Sequence, residues 1–191
     1  MFEKASEAVT RKLQENNTIN EEQYDICRYG LQQGFTIILN IVTTFIIGMI
    51  MKGLLYAVVF TILYIPLRSN AGGYHAKTAI RCYLYSILLM IAVLLAIKHI
   101  AIPSFICIII YAISIAVICI LAPIEDSNKP LDEIEVEVYH KRTLIILAIE
   151  IMLFIIGLAL NLRYFMQTTI WVMITMSIIL LIGKFWNTIK K

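Results

Sequence analysis

Six apolar runs leave this 191-residue chain almost no way to fold except inside a bilayer. They cover approximately Gly34 to Met51, Leu54 to Leu67, Tyr83 to Ile97, Ile100 to Ala122, Thr143 to Leu160 and Thr168 to Gly183. About 20 helical residues cross the roughly 30 Å of hydrocarbon in a bilayer, so most of these runs suffice, and the short second run is kept separate from the first by a turn at Lys52-Gly53. Ile65-Pro66-Leu67 is expected to end that second helix, because proline lacks the N–H that an interior helical position needs. With 60% of its residues hydrophobic and a mean hydropathy of +0.84, the chain is too apolar for an ordinary soluble domain. The expected fold class is an all-α integral membrane protein of about six transmembrane helices.

The segment 1–33 mixes apolar and charged residues. Phe2, Ala5, Val9 and Leu13 recur at helical spacing and predict an amphipathic helix on the membrane surface. Asn16 to Asn20 interrupts it, and Thr18 to Glu21 has the form of a capping box opening a second helix. No compact apolar core with a small-residue cleavage site occurs in this stretch, so insertion is expected to rely on the spans themselves. The organisation read from the sequence is an interfacial segment 1–33, a transmembrane domain 34–183 and a tail 184–191.

Positive charge sets the expected orientation. Thirteen of the sixteen lysines and arginines fall in the N-terminal segment, between spans two and three, between four and five, or at the C-terminus; Lys52, Lys98 and Arg163 are the exceptions. By the positive-inside rule both termini should be cytoplasmic in a bacterial cell membrane. The net charge of +3 is scattered around the spans, so nucleic acid is not an expected partner and the lipid bilayer is. Cys27, Cys82, Cys107 and Cys119 show neither CxxC nor metal-ligand spacing, so no metal, cofactor or disulfide framework is expected. Glu150 is the one acidic residue inside a span, a default functional candidate and the basis for an alternative reading as a small transporter or scaffold.

The chemistry concentrates in one basic break, Arg68-Ser-Asn-Ala-Gly-Gly-Tyr-His75-Ala-Lys-Thr-Ala-Ile-Arg-Cys82. Cysteine attacks as thiolate, which requires a base or positive neighbours, and His75, Lys77 and Arg81 are available for that purpose. Arg68 offers a fork for a carboxylate or, more plainly, an anchor to anionic headgroups. Asn70, Ser69 and Ser86 are candidates to orient His75, while His140 is a rival base. Seven residues of straight helix would separate His75 and Cys82 by about 10.5 Å of rise, so cooperation between them demands a bend, and Gly72-Gly73 permits one. A helix dipole would help Cys82 only if its helix begins near Thr78.

This run resembles the signature of the AgrB family, the membrane peptidases of accessory gene regulator quorum sensing. Ala122-Pro123-Ile-Glu-Asp-Ser-Asn128-Lys129-Pro130-Leu131 resembles the family's second motif, and the multispan layout fits nearly the whole chain. The resemblance implies a cysteine endopeptidase with Cys82 and His75 catalytic and Arg68 and Gly73 important; Asn70, Ser86, Lys77, Arg81 and Lys129 are supporting candidates. It also implies an AgrD-like propeptide as substrate, removal of its acidic C-terminal tail through a thioester, ring closure to a thiolactone or lactone, and a homodimer.

Overall fold

The computed structural model describes residues 2–74, 78–100, 102–125 and 131–190, with the side chains of 79, 104, 189 and 190 excepted. Seven helices follow one another: α1 Glu3–Glu15, α2 Glu21–Ile50, α3 Leu54–Ala71, α4 Ala79–His99, α5 Ser104–Leu121, α6 Glu133–Ala159 and α7 Arg163–Lys190. No strand element occurs among the described residues. α2, α3, α4, α6 and α7 are long and apolar enough to cross a membrane, and α5 is apolar but shorter over Phe105–Leu121. The chain is therefore an all-α multi-pass membrane protein.

Alternation of the helices puts the α3 C-terminus, the α4 N-terminus, the α5 C-terminus, the α6 N-terminus and the α7 C-terminus at one end of the bundle. We call this the Cys82 end. At the opposite end the Lys98 ammonium donates to Met51 O and the Tyr56 and Tyr164 rings lie 5.5 Å apart. α7 is the central post, packing on α3, α4, α5 and α6. Its Ile170, Val172, Met173, Met176 and Leu180 are fully buried against Phe60 and Leu67 of α3, Leu94 of α4 and Ile118 of α5 in one core.

Two local expectations are corrected. α3 runs through Pro66 to Ala71 instead of stopping near the proline. A proline there removes one backbone bond, and this last turn is supported by side chains: Ser69 Oγ donates to Ile65 O at 2.8 Å and Asn70 Nδ2 to Pro66 O at 2.9 Å. The cap of α2 is Asn20, whose N–H donates to Gln23 Oε1 at 3.2 Å, not the expected Thr18 and Glu21 pair. An N-cap must be the last residue with non-helical dihedrals, and Asn20 is extended with ψ 175°.

α2 is continuous across residue 33, so one helix carries the end of the segment 1–33 and the first apolar run. α1 folds back antiparallel along the first half of α2, with Phe2 and Phe35 rings 5.7 Å apart. Its seam is Ser6 and Thr10, both fully buried, where small side chains let the backbones approach. The Ala5 and Val9 positions of the expected amphipathic face remain exposed.

Candidate functional site

The break between α3 and α4 is a tight structure held from three sides. Gly72 and Gly73 have φ of +69° and +111°, a region that side chains bearing a Cβ rarely occupy. Gly72 forms an isolated parallel bridge with Ile124, the third residue of the second motif: Ile124 N–H donates to Ala71 O at 3.0 Å and Gly73 N–H to Ile124 O at 3.2 Å. Tyr74 N–H then donates to Ile179 O of α7 at 3.3 Å. The two sequence motifs thus pair through backbone, and α7 receives the next amide.

Arg68 closes the turn from inside. Its Nη1 donates to Gly72 O and its Nη2 to Tyr74 O at 2.6 Å, so the planar fork spans two carbonyls of one short segment. Both of these donors are committed to the chain's own backbone. The guanidinium acts as a clamp on the turn, where the sequence suggested a carboxylate holder or a lipid anchor.

Cys82 lies in the first turn of α4. Thr78 is the N-cap, accepting from Arg81 N–H at 3.3 Å, and Cys82 N–H donates to Thr78 O at 3.0 Å. Cys82 is the fourth residue of α4, at the end of the turn over which the helix dipole acts, so the start near Thr78 required from sequence is present. The thiol is half-buried and free. Tyr83, the next residue, shares a 2.8 Å hydrogen bond with Thr43 and ties this turn to α2.

The remaining candidates divide. Ser86 Oγ donates to Cys82 O at 3.0 Å and Asn70 Nδ2 to Pro66 O, so both donors serve their own helices. Arg81 is exposed beside Cys82. His140 Nδ1 lies 2.7 Å from Ala122 O and steadies the approach to Ile124. His75, Lys77 and Lys129, with the middle of the second motif at 126–130, lie outside the described residues. The flanks of His75 are in place nonetheless. The Tyr74 ring meets Trp186 edge-on at 5.7 Å and Tyr85 at 6.3 Å, while Thr78 caps α4. A single helix does not join this break to Cys82, since residues 72–74 are non-helical and α4 starts at Ala79.

Sequence reasoning missed the contribution of α7. A Cβ at Gly183 would lie 2.7 Å from Tyr74 N and 3.1 Å from Gly73 Cα, so only glycine lets α7 press against this backbone. A lone glycine near the end of an apolar helix was the available signal. Asn187 extends the same support, its Nδ2 donating to Glu125 O at 2.8 Å.

The accessory gene regulator B family model matches residues 6–190, and both motifs that pair in the fold fall within that match. The chain belongs to the accessory gene regulator B family. Among its relatives, an AgrB-like protein of Clostridium perfringens (strain SM101) is 28% identical over 99% of this chain and 90% of its own length. Accessory gene regulator protein B of Staphylococcus aureus (strain Newman) is 29% identical over 78% of this chain and 77% of its own. That of Staphylococcus carnosus is 24% identical over 69% of each. No solved structure matches the chain. For a member of the AgrB family, the clamped glycine turn beside Cys82 is the part of the molecule that warrants a chemical reading.

Proposed function

We propose that this AgrB-family protein is a membrane cysteine endopeptidase that cuts an AgrD-like propeptide and supports its cyclisation. The observation that carries this reading is Cys82 in the first turn of α4, beside a turn that Arg68, Ile124 and Gly183 hold in one shape. A nucleophile on a helix end set against a rigid backbone segment suits acyl transfer, which needs the carbonyl held in place during attack.

In this mechanism the Cys82 sulfur attacks the scissile carbonyl and His75 takes the thiol proton. His75 then returns the proton to the leaving amine, releasing the C-terminal tail and leaving the upstream fragment as a thioester on Cys82. A thiol or hydroxyl within that fragment displaces the enzyme, closing a thiolactone or lactone and regenerating the Cys82 thiol. Water competes for the thioester, and apolar helices around the site favour the internal nucleophile by limiting its access. Arg81, exposed next to Cys82, is placed to attract an acidic tail. The site faces the cytoplasm in this proposal.

Mass spectrometry of a co-expressed propeptide tests the whole sequence. The expected product is a fragment lighter by one water than its hydrolysed form, absent with Cys82→Ala. Cleavage that persists in Cys82→Ala sinks the mechanism. Hydrolysed product alone reduces it to a plain peptidase, and uncut peptide favours transport or scaffolding.

A further inference from the structure

A second polar site lies in the interior of the bundle, away from Cys82. Glu150 of α6 is 2% exposed, and neither of its carboxylate oxygens has a hydrogen-bond partner among the described residues. Tyr111 of α5 is 4% exposed with an equally unpartnered hydroxyl. The Tyr111 ring stacks on Phe154, one turn along α6 from Glu150, with centroids 4.0 Å apart and planes within 9°. That contact brings Tyr111 to the same level of the bundle as Glu150.

The surroundings restrict what this pair can hold. α6 packs on α3 and α7, whose titratable groups include Tyr56, Tyr64 and Arg68 and Arg163, Tyr164 and Lys184. Among the described residues no ion pair reaches Glu150. A bare carboxylate without a partner is strongly disfavoured in such a setting. A hard metal cation would need about six or more oxygens, and the unpartnered side-chain oxygens here are the two of Glu150 and the one of Tyr111. Among the described residues no cluster of three His, Cys, Asp or Glu joins them. A proton needs a single oxygen.

We propose that Glu150 and Tyr111 form an intramembrane proton-binding site, in which Glu150 rests as a neutral carboxylic acid beside the Tyr111 hydroxyl. Loss of the proton to water leaves a carboxylate that the apolar core cannot stabilise, so release is coupled to entry of water beside the Tyr111–Phe154 stack. This holds whether or not the protein is a peptidase, since it concerns a different part of the bundle.

Infrared spectroscopy of the protein in liposomes tests it. At neutral pH the exposed carboxyls are ionised, and Glu150 should contribute the C=O stretch of a protonated acid. The band should be absent in Glu150→Gln, shifted in Tyr111→Phe, and lost from the wild type at alkaline pH. In parallel, amide protection over 104–121 and 143–157, taken relative to the base-catalysed intrinsic exchange rate at each pH, should fall as pH rises in the wild type and stay constant in Glu150→Gln. Carboxylate bands alone at neutral pH overturn the proposal, as does a protonated-acid band that survives in Glu150→Gln. Loss of the band on adding sodium or potassium chloride at constant pH assigns the site to a monovalent cation and also overturns it. If Glu150→Gln fails to insert, titration of the wild-type band still decides.

Discussion

Gly73 and Gly183 face each other across a gap that admits no side chain. A Cβ on Gly73 would sit 2.9 Å from Ile179 Cγ2 at a φ of +111°, so Gly73→Ala combines backbone strain with a clash. We expect a cost of about 1–3 kcal/mol and loss of propeptide processing, read by thermal unfolding in detergent and by product mass. Gly183→Ala leaves an ordinary helical residue on α7 but pushes on the Tyr74 amide, so it should reduce processing with little change in membrane insertion. Arg68→Lys keeps the charge and loses the fork that spans Gly72 O and Tyr74 O. It should therefore impair processing nearly as much as Arg68→Ala; full activity in the lysine variant would mean that charge alone matters. The motif singles out Arg68 and Gly73 by resemblance alone. The packing at Gly73 was not legible there, because it depends on Ile179 and Gly183, more than 100 residues away in the chain.

Among the elements, α4 has the start that the proposed chemistry needs. Thr78 caps it, and Cys82 follows within one turn. Thr78→Ala should cost about 1 kcal/mol and raise hydrogen exchange at the amides of 81 and 82, while the far end of α4 keeps its protection. The start of this helix was visible in the sequence only as a condition, since Thr78 is one of several residues before Tyr83 that could end the loop. α3 shows the opposite case. Proline is a strong helix stop, yet the helix runs five residues past Pro66 and delivers Arg68 to the turn, with Ser69 and Asn70 adding bonds back to Ile65 O and Pro66 O. The single bond lost at the proline is outweighed by this last turn and the packing of Leu67 and Ala71 in the core.

At the scale of the molecule, α7 joins the core and the site in one rod. Its middle is buried by α3, α4 and α5, and its last turns brace Gly73, Tyr74 and Glu125. In a bilayer the packed state gains little from burying apolar surface, because lipid is equally apolar, so fit between helices carries the stability. Met173→Ala, at a fully buried position, should then lower stability by about 2 kcal/mol, while Met152→Ala, at 55% exposed, should be nearly neutral. Comparing their melting temperatures in detergent checks the assignment of α7 as the post. The membrane, the apolar helices and the residues of both motifs can be read from the chain, because each of these rests on composition and on neighbours close in sequence. Only the tertiary structure decided that the two motifs pair at Gly72 and Ile124, that Arg68 clamps its own loop, and that α7 seals the turn with a glycine. The first and the last are close contacts between distant segments and the clamp acts on the turn they shape, and hydrophobic patterning, which says that a helix is buried, does not say against which backbone it comes to rest.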